Sequence, residues 1–326
     1  MNLNLYDKDL NRIAIIGGQY VSCFWSEGYN TVESFTLELI ATDEYKKKVR
    51  SDCYVGRDDR KTLMVIKSVE IANGKVIASG KQASRVLDDV SFIGTIESGS
   101  MIDTSIKNAY NSSNKYYNLE FAETDLQIPY NHQISNKSFL GLCETMCQSE
   151  DVGFKTIRNN GTLTVLFYKP EYDPSLVYAE KFGNVSVDSV YMSTENLKNY
   201  AIVLGQGEVE ARTKVCVDLT NGGDRRDLIV DANDIQREEG ETDERYNARL
   251  VARGIEKLLE NQQTFSVSIT PYVKDFGVKY DLGDVLTVYL SDYGITLQAR
   301  VSRFTQKSQK NKITTTVEVG QITIKR

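Results

Sequence analysis

The stretch Glu33-Ser-Phe-Thr-Leu-Glu-Leu39 alternates strictly, with Phe35, Leu37 and Leu39 on one side and Ser34, Thr36 and Glu38 on the other. A period of two is that of a strand with one face in a core and one in water, so the first part of the chain reads as antiparallel sheet. Downstream, Met64 to Ile71 is a second strand, and Lys75 to Ser79 is its partner after Asn73-Gly74. Asn-Gly accepts the positive φ angles of a two-residue turn, which predicts a hairpin there. Residues 1–92 therefore read as a small antiparallel barrel or sandwich.

The pattern changes over residues 93–175, which read as an α+β unit. Asp103 is placed to cap a short helix ending at Tyr110, and Asn111-Ser-Ser-Asn-Lys115 reads as a loop. Phe139, Leu140, Leu142, Cys143, Met146 and Cys147 follow helical spacing after a cap at Ser135 or Asn136. A hairpin over Gly153 to Tyr168 is then expected, turned at Asn159-Asn160-Gly161.

Residues 176–326 return to strands, expected near 184–192, 199–205, 208–217, 264–270, 284–290, 295–304 and 312–324, with a tight turn at Asp292-Tyr293-Gly294. One helical insertion, about 243–261, puts Tyr246, Leu250, Val251, Ile255, Leu258 and Leu259 on one side, with Glu241, Asp243 and Glu244 at its N-terminal dipole. The fold class is β-rich α+β: a barrel, an α+β domain, then a second barrel.

At 326 residues and 36.8 kDa the chain is too long for one ordinary core, and several domains fit that length. A net charge of -6 argues against a polyanion-binding surface as the main function. No run approaches the length of a membrane span, and the first residues lack the charged and apolar regions of a signal peptide. Cys23, Cys53, Cys143, Cys147 and Cys216 are odd in number and without framework spacing, which fits synthesis in a reducing compartment.

Motifs for chemistry are sparse. The single histidine, His132, has no Gly-x-Ser-x-Gly elbow to serve and reads as an exposed loop residue. Cys143 and Cys147 are spaced to share a metal, but zinc needs further ligands, and their helical positions read as core. Gly205-Gln-Gly207-Glu-Val-Glu210 lacks the third glycine of a dinucleotide fingerprint and reads as a turn. Asp231-Ala-Asn233-Asp234 begins like a calcium loop and fails at Ile235 and Gln236. No cofactor or metal is expected.

Asn221-Gly-Gly-Asp-Arg-Arg-Asp-Leu-Ile-Val-Asp-Ala-Asn-Asp-Ile235 reads as a structural joint. Gly222-Gly223 makes a turn, Leu228 and Val230 alternate as in a short strand, and Arg225 and Arg226 are placed to pair with Asp224, Asp227 or a neighbouring chain. Asp224, Arg225 and Arg226 are thus interface candidates, together with Gly283-Asp284, a turn opening a later strand.

The order of features resembles a known family. Asp7-Lys-Asp-Leu-Asn11, Trp25 and Glu33 to Leu39 look like the start of siphophage tail-tip hub proteins, the hub portion of tail-associated lysins of the siphovirus Gp37-like kind. Tyr200-Ala-Ile-Val-Leu-Gly-Gln-Gly-Glu208, Arg212, Asp224 to Ile235 and Tyr280-Asp-Leu-Gly-Asp-Val-Leu-Thr-Val288 extend the resemblance in the same order over most of the chain. It implies tail-tube-like barrels and a homotrimer forming a pseudo-sixfold ring around a DNA channel. That ring would join the hexameric tube and distal tail protein to a threefold tip, with the tape measure protein and receptor-binding or tip proteins as further partners. DNA would pass without specific binding, and a net acidic wall is expected, since a basic one would hold phosphates.

The resemblance implies a virion protein made in the host cytoplasm. A variant of it places the hub in a contractile tail or a phage-derived bacteriocin. Because the last expected strand is followed directly by Lys325-Arg326, no lysin activity is carried over, and a non-enzyme is expected. Two other classes compete: a cell-wall hydrolase or endopeptidase using acids of the α+β unit, and a carbohydrate-binding module using exposed tyrosines and Trp25. Trp25 sits beside an alternating strand and reads as core.

Overall fold

A computed structural model describes residues 1–113, 118–208, 212–238, 240–261, 264–309 and 312–325. The chain forms two compact units, Met1–Ser186 with Ile269–Arg326, and Val187–Ser268. This grouping differs from divisions near 92 and 175, because long strands late in the chain pair with strands near its start.

In the first unit, strand Ser34–Ile40 buries Phe35, Leu37 and Leu39. It lies between Ser22–Gly28 and Lys75–Gln82, both antiparallel to it. The hairpin partner of Lys75–Gln82 is Arg60–Ala72, with Ala72 opposite Lys75. Asn73 and Gly74 between them have φ of 52° and 72°, the left-handed pair that a two-residue hairpin turn requires. The second expected hairpin closes alike, Asn159 opposite Thr162 around Asn160 and Gly161.

Strand Ile295–Gln309 joins the ends of the chain. Its first residues pair with Val285–Leu290, and Arg303 to Gln309 pair with Ser22–Gly28. Its other edge carries Lys312–Lys325. These pairings make one 14-stranded sheet whose main path runs from Tyr172–Ala179 to Leu119–Phe121. Among the described residues it stays open and no closed barrel forms, because its end strands, Tyr172–Ala179 and Leu119–Phe121, do not pair with each other.

Below this sheet, helices Ile102–Asn111 and Phe139–Ser149 pack a core in which Tyr110 meets Phe139 edge-on and Phe121 stacks on Phe167. Two caps differ from expectation. Ser138, not Ser135 or Asn136, caps the second helix, its hydroxyl accepting from Gly141 N at 3.1 Å. Ser135 and Asn136 belong to strand Ile134–Ser138, where Asn136 sits at a bulge and accepts from Gly94 N. Asp103 lies inside the first helix and is buried; its carboxylate accepts from the Thr124 hydroxyl at 2.8 Å, tying a loop to the helix instead of capping it.

The second unit is a helix on a small sheet. Tyr200–Leu204 runs between Lys214–Asp218, antiparallel, and Asp227–Asp231, parallel. Helix Asp243–Glu260 covers one face, with Tyr246, Leu250 and Leu258 against Ala201, Val203, Val217 and Val230. A Cβ on Gly254 would come within 2.8 Å of Val203 and Val217, so this glycine sets how closely helix and sheet approach. Ile255, expected inward, is 39% exposed, and the side chain of Leu259 lies outside the described residues. The strand expected over 208–217 begins only at Lys214, and Glu210 lies outside the described residues. Asn114 and Lys115 of the expected loop do so as well.

Strands Val185–Ser193 and Thr264–Pro271 pair where the chain passes between the units. No helix among the described residues is long and apolar enough to cross a membrane.

Candidate functional site

The glycine- and arginine-rich stretch 221–235 is held from within its own unit. Asn221 and Gly222 have φ of 49° and 82°, and Gly223 N donates to Thr220 O at 2.9 Å, closing the turn. Arg225 then forks onto Asp227 at 2.6 and 3.0 Å and lies 3.5 Å over the Tyr200 ring. Asn199 reads the following backbone, its side chain accepting from Arg226 N at 2.7 Å and donating to Asp224 O at 2.9 Å. The Arg226 guanidinium donates to Thr194 O at 2.8 Å. These bonds deliver Asp227–Asp231 in register beside Tyr200–Leu204, which is what a joint does.

Arg212 locks the far end of the same strand pair. Its guanidinium donates to the Leu204 and Gly205 carbonyls at 2.6 and 2.8 Å and to Asp231 at 2.5 Å. The Arg225 and Arg212 forks hold the carboxyls of Asp227 and Asp231 below the usual range through direct hydrogen bonds. Asp227, Asp231 and Asp234 each pair with an arginine, Asp224 keeps its carboxylate exposed, and no group of three metal-ligating side chains occurs among the described residues.

Gly283 and Asp284 lie in the other unit and open Val285–Leu290. Gly283 has a φ of 92°, and a Cβ there would sit 2.5 Å from the Tyr29 ring. Its carbonyl accepts from Arg300 at 2.6 Å, and Arg300 also pairs with Asp151 at 2.6 Å. Both Asp284 carboxylate oxygens accept backbone N–H groups, from Glu171 at 2.8 Å and Asp281 at 2.7 Å. Burial pushes this carboxyl upward all the same. The two candidate groups are thus built separately, each by bonds inside its own unit.

A buried polar arrangement in the first unit has no signature in the sequence. Glu27 is 0% exposed; its Oε1 accepts from Trp25 Nε1 at 2.7 Å and pairs with Arg60 Nε at 2.9 Å. Arg60 lies 4.8 Å from the Phe276 ring and 4.9 Å from Phe304, and those rings stack on each other at 4.4 Å. Arg57 sits over Trp25 and forks onto Asp59 at 2.8 and 2.6 Å. A cavity of about 370 Å³ opens beside the pair, lined among others by Glu27, Arg60, Thr62, Lys155, Tyr168 and Asp281. Its carboxylates face cations: Glu27 faces Arg60, and Asp281 faces Arg60 and Lys155 at 3.6 and 3.7 Å. Such an arrangement welds distant strands together.

His132 is exposed beside Tyr130. Cys143 and Cys147 are fully buried in the helix core, and burial raises both thiols, as it does Cys53 and Cys23, the last to about 12. Only Cys216 is exposed. One fast-reacting thiol per native chain is therefore expected with a disulfide reagent at pH about 8, and five after unfolding. Two or more fast thiols in the native protein would contradict this packing.

Residues 2–321 match the family described as siphovirus ReqiPepy6 Gp37-like protein. The chain belongs to that family. Three solved structures described as tail proteins are similar to this chain in fold. Prophage tail protein gp18 from Listeria monocytogenes EGD-e is similar with a TM-score of 0.59 at 12% identity, covering 98% of this chain and 94% of that one. The 43 kDa tail protein of prophage MuSo2 from Shewanella oneidensis gives 0.59 at 12% identity, covering 98% of both chains. A tail protein from Neisseria meningitidis MC58 gives 0.56 at 13%, over 98% of this chain and 95% of that one. At these identities the likeness is one of fold. No curated protein matches the chain.

Proposed function

We propose that this chain is a structural component of a phage tail tip: a hub in which three copies form a pseudo-sixfold ring around the DNA channel. The observation that carries the reading is coverage. Family membership spans residues 2–321, and the fold shared with prophage tail proteins spans 98% of the chain. In this reading residues 1–92 and 176–326 supply two tube-like parts per chain, and 93–175 lies between them. The ring joins the distal tail protein and hexameric tube to threefold tip or receptor-binding proteins, with the tape measure protein as a further neighbour. Asp224, Arg225, Arg226, Gly283 and Asp284 stay interface candidates, the exposed Asp224 carboxylate foremost.

The role is mechanical, not enzymatic. A net charge of -6 suits a wall along which DNA slides, and the wall is proposed to be net acidic. The expected native mass over a concentration series is three times 36.8 kDa. A monomer at every concentration, alone and with the distal tail protein, would count against the hub, and a turbidity assay on purified cell walls would then test for hydrolysis.

A further inference from the structure

We propose that the free edge of strand Ser91–Ile96 takes up strand Arg12–Gly17 of a second copy of this chain, and that this head-to-tail pairing closes the ring. The inference rests on the trimer reading above.

Strand Ser91–Ile96 uses one edge to pair with Ile134–Ser138. Among the described residues, no strand pairs with its other edge. A groove of about 940 Å³ runs beside it. Ser91, Phe92, Ile93, Thr95 and Ile96 all line that groove. A groove over a face would meet alternate residues only, so consecutive ones mean that it follows the edge, where N–H and C=O groups point. Its opposite wall is one stripe of helix Ile102–Asn111 and the residue after it: Ser105, Asn108, Ala109 and Ser112. Ser105 and Ser112 turn their hydroxyls back onto the Met101 and Asn108 carbonyls, so this wall presents short side chains whose donors are already used. An extended chain is the occupant that can use such a row of donors and acceptors.

Strand Arg12–Gly17 complements it. Among the described residues it pairs only with Leu3–Tyr6, which leaves its other edge open. Each strand has six residues, and each exposes an isoleucine near its middle, Ile93 at 83% and Ile15 at 68%. Charge favours the same match. The groove is lined by Asp89 and Glu97 and by no lysine or arginine. Asp89 is already tied to Lys67 and Arg85, which leaves Glu97 to meet an incoming cation. The exposed Arg12 begins its strand, and antiparallel pairing with Ile15 near Ile93 brings it to the end of the groove where Glu97 lies. Because the two edges differ, the contact is heterologous, and successive copies close a ring when the rotation allows it.

Cysteine cross-linking tests this in the full chain carrying Cys216→Ser. The double variant Ile15→Cys/Ile93→Cys, oxidised with copper phenanthroline, is expected to give a covalent ladder ending at three chains. Either single variant alone should stay uncoupled, and a mixture of the two should give linked pairs. As a second route, Arg12→Glu is expected to weaken self-association about tenfold or more, with recovery in Arg12→Glu/Glu97→Arg. A trimeric double variant that does not cross-link, or a trimer indifferent to Arg12→Glu, overturns the pairing and leaves the trimer standing. A parent chain that stays monomeric overturns both.

Discussion

Replacing Arg60 with methionine is expected to cost about 3–5 kcal/mol, the usual loss when one member of a buried ion pair is removed. The cause is less the lost attraction than the charge left behind. Glu27 is 0% exposed and has Trp25 and Arg60 as its partners, so without the guanidinium its carboxylate keeps a single neutral donor. Phe276 and Phe304 also lose the planar cation lying over them. Trp25 is the only tryptophan in the chain and bonds to Glu27, so its fluorescence during urea unfolding reports on this site. The double variant Glu27→Gln/Arg60→Met should recover most of the loss, because it removes the stranded charge. A single variant within 1 kcal/mol of the parent would mean that water reaches Glu27 and the pair does not bind the strands.

Gly80→Ala is expected to cost about 3 kcal/mol, at the upper end for overpacking, because nothing near it can yield. A Cβ there would lie 1.9 Å from the Val65 carbonyl oxygen and 2.9 Å from its carbon, both backbone atoms of the neighbouring strand. Gly80 stands opposite Ile66, beside the register shift between Ile66 and Ser68, so the bulge brings the two backbones together. Gly18→Ala is the matched control: no atom lies within 4 Å of its Cβ, and a change within about 0.5 kcal/mol is expected. Equal stability of the two variants in chemical unfolding would show that the bulge can open without penalty.

If the first prediction holds, the first unit owes part of its cohesion to contacts between segments far apart in the chain. Glu27 and Arg60 come from early strands, whereas Phe276 and Phe304 come from the last quarter.

Local structure was determined by local sequence. Strict alternation made Glu33 to Leu39 a strand, Asn-Gly pairs closed both hairpins, and the apolar stripe from Tyr246 to Leu258 made a helix, because each signal acts over a few neighbouring residues. The same holds for 221–235, where Arg225 meets Asp227 two positions away. The caps at Ser135, Asn136 and Asp103 failed for an equally physical reason: strand pairing claimed the first two residues and a loop hydroxyl claimed the third. Only the tertiary structure decided how the strands were shared. That Ile295–Gln309 would leave Val285–Leu290 for Ser22–Gly28, and that the Arg60 paired with Glu27 would lie against two stacked late aromatic rings, depends on contacts between segments far apart along the chain, which no short-range pattern encodes.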